Sequence, residues 1–219
     1  MDRGQIRSAV AEALRSTGLV RWTSGELDEY IDDGYRMIAN RTACIMQTVT
    51  LSTTPNNHFV DLPRDTLYPI AFRDLGTGLP IDPVHWSFID RNPFWARKTS
   101  TRPEIVAMWG LKRLLIDAAY TVVGSIEMMH AVSPIAGLGS DGAVPSMPQQ
   151  FHGALVDYAH FRSLLKDADQ FRLGRALRQY GYCEDKIAEL EEWAINRNEG
   201  VAQAMYGERF RTAGLPGGV

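Results

Sequence analysis

The sequence has little of the material that disulfide-stabilised or membrane-spanning proteins need. It contains only two cysteines in 219 residues, Cys44 and Cys183, which lie far apart in helical contexts. This usage favours free thiols in a reducing compartment, although a single disulfide between the two stays open. No apolar run approaches the roughly 20 residues that span a bilayer, and the opening MDRGQIRSAV has no signal-peptide pattern. We therefore expect a protein without membrane contact that is made and kept in the cytoplasm.

An excess of charge of one sign is also absent. Lysine and arginine number 23 against 26 aspartates and glutamates, which gives a formal net charge of -3 and a pI near 6.0. This balance predicts no global attraction to nucleic acid, although a local basic surface stays possible. The hydrophobic fraction of 45% is enough for a full core, in one domain or in two small ones.

The first 46 residues predict two helices. Residues 5–16 place apolar side chains on one face, and Thr23 with Glu26 forms a capping box that starts the second helix. Gly34 lies on the apolar side of that helix and predicts the close approach of another backbone. The outer face of the second helix is acidic, with Asp28, Glu29, Asp32 and Asp33. A solvated face explains these acids better than a metal site, because no other ligands follow at fixed spacing.

The clearest helical signal covers residues 148–166, where Pro148 suits the first helical position. Apolar residues recur at i, i+3, i+4 and i+7, as expected for one buried face: Phe151, Ala154, Leu155, Tyr158, Phe161 and Leu165. The opposite face carries Gln149, His152, Asp157, His160 and Lys166. We predict that the first set lies in the core and that the second faces water or a neighbouring molecule.

Two more helices are predicted after this one, over residues 169–180 and 184–206, with Gly181 between them. The first of the two has Leu173, Leu177 and Tyr180 on its apolar face. Another face carries three arginines: Arg172, Arg175 and Arg178. Solvent or the acids of a partner subunit explain these arginines better than phosphate groups. Residues 207–219 have too little apolar surface to fold alone.

The middle of the chain changes to a period of two, with short strands between turns such as 55–57 and 76–78. Asp82 predicts the N-cap of a short helix over residues 84–90, and residues 92–102 form a basic loop with aromatic residues. The fold class predicted is α+β. In it, a helical bundle of N-terminal and C-terminal helices, residues 1–46 and 147–206, carries an inserted antiparallel β module over residues 47–146.

The motifs that could carry catalysis are few. Gly137, Gly139 and Gly142 match G-x-G-x-x-G, but prolines follow where a dinucleotide site needs a helix, so we interpret the segment as a loop. His152 and His160 are more than two helical turns apart and cannot share a metal directly. Ser163 and Lys166 match S-x-x-K within a helix, without the further partners that chemistry requires. Two acids could meet as a glycosidase pair, but the spacing does not single out which two. We expect no enzyme, no cofactor, no metal and no catalytic residue.

The order of several phrases along the chain resembles phage head-to-tail adaptor proteins. A pattern like "ydLP.d" matches residues 60–65, an "rP..y...g" element matches residues 102–110, and a "P..fh.aLvdYA..ra" helix matches residues 148–162. Each motif is weakly specific alone, and their order and spacing carry the resemblance, which extends over residues 24–206. The glycine-rich stretch at residues 118–147 is longer than the family pattern.

The resemblance implies a structural protein of the phage neck, present in the host cytoplasm during assembly and then in the virion between capsid and tail. It implies a homo-oligomeric ring, expected to be a dodecamer, that binds the portal protein and the tail or nozzle proteins. Genomic DNA would pass through its lumen without sequence-specific binding. Two alternatives from other classes stay open: a peptidoglycan hydrolase associated with the tail, and a DNA-binding regulator that uses the arginine face.

The resemblance also assigns roles to particular residues. The segment 207–219 is expected to dock on the portal through Phe210, Arg211 and Leu215. Contacts between subunits are expected between the acidic second helix and the arginine face, through Asp28, Asp32, Asp33, Arg172, Arg175 and Arg178. The helical bundle would form the ring and face the portal, and the β module would face the tail.

Overall fold

The computed structural model describes residues 1–15, 22–166 and 170–206. The helices of this part of the chain are α1 (Arg3–Arg15), α2 (Ser24–Thr42), α3 (Trp86–Asp90), α4 (His152–Lys166) and α5 (Gln170–Tyr206). Its strands are β1 (Met46–Ser52), β2 (Phe59–Asp61), β3 (Thr66–Asp74), β4 (Asp82–Val84), β5 (Thr99–Ser100), β6 (Ile105–Trp109), β7 (Arg113–Ile116), β8 (Ala119–Tyr120) and β9 (Ser125–Val132). The α+β class predicted from the sequence is confirmed.

The chain divides into two compact units, each built from two stretches of sequence. The helical unit contains the described residues of Met1–Ile45 and Val132–Ile195, and the β unit contains Met46–Ala131 and the described residues from Asn196 to Tyr206. The core of the helical unit is formed by buried apolar residues of α1, α2, α4 and α5, including Ile6, Ile31, Leu155 and Ile187. Both cysteines are free thiols within this core, as the sequence favoured.

Helix α2 begins where the capping box predicted. The Thr23 hydroxyl accepts a hydrogen bond from the Glu26 amide at 3.3 Å, and the Glu26 carboxylate accepts one from the Thr23 amide at 3.0 Å. The helix ends at Ala43, whose φ of 49° lies in the left-handed region. A close approach does occur at Gly34, but the neighbour is a side chain and not the backbone that was predicted: a Cβ there would lie 2.6 Å from Cδ1 of Tyr158 on α4.

Helix α4 buries a broader face than the sequence predicted. Leu155 and Tyr158 are buried as expected, but His152 is 1% exposed, whereas Leu165 is 36% exposed. The predictions for His152 and Leu165 are therefore wrong. His152 Nε2 lies 3.0 Å from the Met147 carbonyl oxygen, so the ring is hydrogen-bonded inside the core. Small buried residues such as Ala159 also belong to this face, and a pattern built on large apolar side chains misses them.

Helix α5 is one element of 37 residues, and the predicted break at Gly181 is wrong. A glycine inside a helix costs about 1 kcal/mol relative to alanine, which packing on either side outweighs. Ala176 before Gly181 and Cys183 after it are both buried, so the helix continues between them. The apolar face that includes Leu173 and Leu177 is not buried at these two positions, where the side chains are 44% and 58% exposed.

The β unit contains antiparallel pairings, as the sequence predicted, together with parallel pairings that it did not predict. Strand β1 pairs with β9, β2 with β7, and β6 with β7 in antiparallel register, the last about Gly110 with φ 66°. Strand β4 pairs with β6 in parallel, and β5 pairs with β8 in parallel. The segment between β4 and β6 contains α3 and a 3-10 turn at Trp95–Arg97, which is long enough to return the chain in the same direction.

Asp82 belongs to strand β4 and does not cap a helix, contrary to the sequence prediction. Its amide donates to the Glu104 carbonyl at 2.9 Å, beside the ladder between β4 and β6. Helix α3 begins later, and His85 is its N-cap, with Nδ1 3.4 Å from the Ser87 amide. The sequence pattern of an aspartate before a proline therefore marked the right region but the wrong element.

Candidate assembly surfaces

One acid of α2 is tied into an ion network within the helical unit. Asp28 accepts from Arg7 at 2.9 and 3.1 Å and lies 3.1 Å from a guanidinium nitrogen of Arg3. Arg7 also forms a two-point pair with Asp141, at 2.6 and 2.8 Å. Arg7 thereby holds the pKa of the exposed Asp141 carboxyl below its ordinary value. Asp28, only 14% exposed, links α1 to α2, so it is not the solvent-directed acid that the sequence suggested.

A second acid of α2 anchors the glycine-rich loop of the helical unit. Asp32 Oδ1 accepts a hydrogen bond of 2.9 Å from the Leu138 amide. A Cβ on Gly137 would lie only 2.2 Å from the Asp32 carboxylate, so the loop can approach only because this residue is glycine. The Leu138 carbonyl accepts from Arg3 at 2.6 Å. The G-x-G-x-x-G segment is thus a loop, as the sequence interpretation expected, and the structure shows in addition that it is attached to α2.

The third acid of the predicted inter-subunit set is less constrained. Asp33 has a side chain that is 47% exposed and lies 3.4 Å from Arg36, three residues along the same helix. Such an exposed pair contributes little to stability. The three aspartates therefore differ in their freedom to contact another molecule, and Asp33 has the most.

The arginine face lies on the outside of α5 where the structure describes it. Arg175 and Arg178 are exposed, and the side chain of Arg172 lies outside the described residues. Sequence reasoning overlooked three acids that continue the exposed side of the same helix: Asp185, Glu189 and Glu192. Their spacing of four and three residues was the available signal, since it places them on one side of a helix.

Other charges of α5 face inward and fix the helix to its neighbours. Arg41 of α2 donates to Glu184 at 2.7 and 2.8 Å and to Glu191 at 2.8 Å. Asp157 of α4 accepts from Gln179 at 2.7 Å and pairs with Lys186. The inward-facing and outward-facing charges of α5 are therefore separate sets with separate roles.

The β unit presents an aromatic surface that the sequence analysis did not identify. The ring centroids of Trp86 and Trp109 lie 5.8 Å apart, as do those of Phe59 and Trp109, both in edge-to-face geometry. Trp86 and Trp109 are exposed, and so are the nearby chain positions Phe88 and Phe94. Exposed clusters of large apolar residues commonly mark contact surfaces. The predicted aromatic loop at 92–102 indicated only one edge of this surface.

A buried polar cluster stabilises the turn after β3 in the β unit. Asp74 accepts from the Tyr120 hydroxyl at 2.6 Å, from the Thr77 hydroxyl at 2.6 Å and from the Thr77 amide at 2.7 Å. Burial raises the pKa of Asp74, but the hydrogen bonds from Thr77 and Tyr120 outweigh it and keep the pKa below its ordinary value. Three donors within the β unit hold this carboxylate in place, so its arrangement is structural.

Two buried side chains of the helical unit, the Cys183 thiol and the Ser163 hydroxyl of the S-x-x-K match, are poorly placed to act as nucleophiles. Burial raises the pKa of the Cys183 thiol to about 12, which opposes formation of a nucleophilic thiolate. The Ser163 hydroxyl donates to the Ala159 carbonyl at 2.8 Å inside the core. Within residues 1–15, 22–166 and 170–206, no group of three or more His, Cys, Asp or Glu side chains could hold a metal ion. None of the helices described there is long and apolar enough to cross a membrane.

The predicted portal-docking residues Phe210, Arg211 and Leu215 lie outside the described residues. The inter-subunit role of the α2 acids and the α5 arginines stays a prediction.

The described chain is an α+β protein with charged helix faces and an exposed aromatic surface. Comparison with known families is more specific. The model of the SU10 adaptor protein family matches residues 1–209, and the chain belongs to that family. The match confirms the resemblance to phage adaptor proteins and gives the chain a structural adaptor role. No curated protein matches the chain.

Proposed function

We propose that the protein forms a ring in the neck of a tailed phage, where it joins the portal to the tail and lets the genome pass. The observation that carries this proposal is the family match over residues 1–209. The assembly would be a dodecamer located in the virion neck, put together in the host cytoplasm. The exposed charges of α5 and the aromatic surface of the β unit support a role based on contacts.

In this proposal the helical bundle, residues 1–46 and 147–206, forms the ring and faces the portal, while the module at 47–146 faces the tail. The Trp86 and Trp109 surface supports the tail-facing assignment, because exposed aromatic residues are frequent anchors of protein interfaces. Tail or nozzle proteins are its proposed partners.

Contacts between neighbouring subunits of the ring would pair the acids of α2 with the arginines of α5. Asp33 is the best-placed acid, because Asp28 and Asp32 already bind partners within the chain. Arg175 and Arg178 are the exposed arginines, with Arg172 completing the set. Charge pairs at such an interface would set the register of the subunits.

The proposed contact of the ring with DNA is non-specific. A channel through which a genome slides must avoid deep attractive sites, so its wall should be neutral or acidic with sparse basic contacts. The formal net charge of -3 supports this. Tight, sequence-dependent binding to duplex DNA at physiological salt would favour the regulator instead.

The test is negative-stain microscopy of the purified protein mixed with portal rings, where the proposal predicts rings stacked on rings. The matched variant lacks residues 207–219 and should keep its circular dichroism spectrum but not sediment with the portal. The substitutions Phe210→Ala and Leu215→Ala should each weaken attachment, because both apolar anchors must meet the ordering cost of the tail. Undiminished binding by the truncated protein would refute the tail mechanism, and absence of stacked rings with the full chain would refute the adaptor arrangement.

A further inference from the structure

Helix α5 carries one exposed line of side chains within the helical unit that we call the α5 stripe. It consists of Arg175, Arg178, Tyr182, Asp185 and Glu189, all exposed. The intervals of three, four, three and four residues keep these positions on one side of the helix, as in the seam of a coiled coil. The stripe is basic at its start, aromatic in its middle and acidic at its end.

The four charges of the α5 stripe have no ion-pair partner among the described residues. This distinguishes them from Glu184, Lys186 and Glu191 of the same helix, which pair with α2 or α4. Within the stripe, Arg175 and Arg178 are like charges at i,i+3, and Asp185 and Glu189 are like charges at i,i+4. Such neighbours destabilise an isolated helix, so the stripe repels itself until a complementary surface covers it.

The charges of the α5 stripe are arranged symmetrically about Tyr182. Arg175 lies seven residues before it and Glu189 seven residues after it, about 10 Å in either direction along the helix. Arg178 lies four residues before Tyr182 and Asp185 three residues after it. When a second α5 is laid antiparallel with its own Tyr182 opposite, every arginine of one copy faces a carboxylate of the other.

We propose that two copies of this chain associate through their α5 stripes about a two-fold axis at Tyr182. Arg175 would then pair with Glu189 of the second copy, and Arg178 with Asp185 of the second copy, each pair formed twice. A two-fold contact uses the same patch on both molecules, which is the kind of contact that a self-complementary stripe fits. The charges of the α5 stripe favour a second copy of this chain as the molecule that covers it, because a wholly acidic or wholly basic partner would match only half of the stripe.

This contact goes beyond the ring proposed above and does not depend on it. A cyclic ring joins two different patches of neighbouring subunits, whereas this contact joins a patch to itself. Arg175 and Arg178 are proposed for both, so a subunit in the two-fold dimer cannot use them in a ring. If the proposed ring forms, the dimer and the ring are therefore alternative assemblies of the same subunit.

Cysteine cross-linking tests the axis. Tyr182→Cys places a thiol at the two-fold axis, opposite the same thiol of the second copy. Mild oxidation should then give a covalent dimer on a non-reducing gel. The matched control is Ala188→Cys, an exposed position of the same helix that lies six residues, about 9 Å, from the axis. Cys44 and Cys183 are buried and give a low background. Cross-linking at position 182 but not at 188 supports the proposal, while equal or absent cross-linking at both positions overturns it.

Charge reversal tests the pairing. Arg175→Glu with Arg178→Glu makes an all-acidic stripe, and Asp185→Arg with Glu189→Arg makes an all-basic one. Each variant alone should dimerise at least about 30-fold more weakly in sedimentation at low salt, since four ion pairs are lost. An equimolar mixture should dimerise again, because every charge then has an opposite partner. Recovery in the mixture supports the two-fold register, and mixtures that stay monomeric overturn it.

The same variants separate this contact from the ring. If the arginines served only the ring contact with α2, the all-basic variant would associate like the parent chain, and the two-fold proposal would fail. Loss of association in both single variants with rescue in the mixture supports the two-fold contact, whether or not rings form on the portal. Failure of the ring proposal would instead appear as an absence of stacked rings with the unmodified chain.

Discussion

Helices α2 and α5 both carry acids at helical spacing, but these acids have different surroundings. On α2, Asp28 accepts from Arg7, and Asp32 accepts from the Leu138 amide. On α5, Asp185 and Glu189 are exposed and have no ion-pair partner among the described residues. Both sets look alike in the sequence, and both fit the description of a solvated helix face.

The difference comes from what the rest of the chain brings to each face. The loop that binds Asp32 is 106 residues away in sequence, and Arg7 belongs to another helix. Because these distant segments return to α2, its acids hold the helical unit together. No such segment covers the α5 stripe in the described chain. A run of charged side chains thus stabilises the fold where other segments of the chain contact it. Where no segment contacts it, the run is available to bind another molecule.

The largest effect is expected from a substitution in the core that both helices share. Leu155 is fully buried in the same cluster as Ile31 of α2 and Ile187 of α5. Leu155→Ala should lower the free energy of unfolding by about 2–5 kcal/mol, as for other well-packed leucines. The measurement is a urea titration followed by circular dichroism. The control Leu165→Ala removes a half-exposed leucine of the same helix and should change the midpoint little. An unchanged midpoint in Leu155→Ala would mean that the buried face of α4 is misassigned.

The next prediction compares one acid from each helix. Asp28→Ala leaves Arg3 and Arg7 without their shared carboxylate, so it should cost about 1–3 kcal/mol of unfolding free energy. Glu189→Ala removes an exposed acid without an ion pair and should stay within about 0.5 kcal/mol of the parent chain. Chemical denaturation of both variants at low protein concentration measures the difference. Equal losses of unfolding free energy in the two variants would contradict the distinction between the acids of α2 and those of α5.

Local signals in the sequence predicted much of the fold. Thr23 and Glu26 cap α2 as expected, and Gly34 permits the contact with Tyr158. The capping box could be predicted because its two residues lie close together in sequence. Gly34 could be predicted as a site of close approach because a glycine on the apolar face of a helix leaves room for a neighbour. The parallel pairing of β4 with β6 was not predictable in the same way, since it depends on where the intervening residues 85–104 carry the chain.

The candidate surfaces were less predictable than the fold. The exposure of Arg175 and Arg178 agrees with the sequence pattern, but the continuous helix through Gly181 does not. With a break at Gly181, the arginines and the acids beyond it belong to different helices, and the α5 stripe cannot be recognised. Tertiary packing at Ala176 and Cys183 overrides the local preference, and a single sequence does not show such packing in advance.

A smaller effect is expected where the loop meets α2. Gly137→Ala would place a Cβ within 2.2 Å of the Asp32 carboxylate, so the acid must move and its bond to the Leu138 amide weakens. We expect a loss of about 1–2 kcal/mol. Gly139→Ala is the control, because a Cβ there meets nothing within 4 Å. If both variants unfold at the same denaturant concentration, Asp32 does not anchor the loop as described.

The smallest effect separates two tyrosines of α5, Tyr180 and Tyr182, by the pH dependence of their replacement. Glu184 faces α2, and hydrogen bonds from Tyr180 and then Arg41 lower its pKa, more than burial raises it. A carboxylate with a lowered pKa in the folded state contributes stability above its unfolded pKa of about 4.3, and this contribution is lost as pH falls through the folded value. Tyr180→Phe keeps the ring contact with Phe161 but removes the hydroxyl donor, so it should cost roughly 0.5 kcal/mol at pH 7.

At a pH below the folded-state pKa of Glu184 that difference should disappear, because protonation removes the same interaction from the parent chain. Urea midpoints at the two pH values measure this. Tyr182→Phe, two residues along and on the exposed α5 stripe, is the matched control and should not differ from the parent at either pH in dilute protein. A pH-independent loss in Tyr180→Phe would indicate a packing defect and not a lost donor to Glu184. A pH-dependent loss in Tyr182→Phe would place an acid of the stripe in an interaction within the chain and remove the contrast between the inward and outward sides of α5.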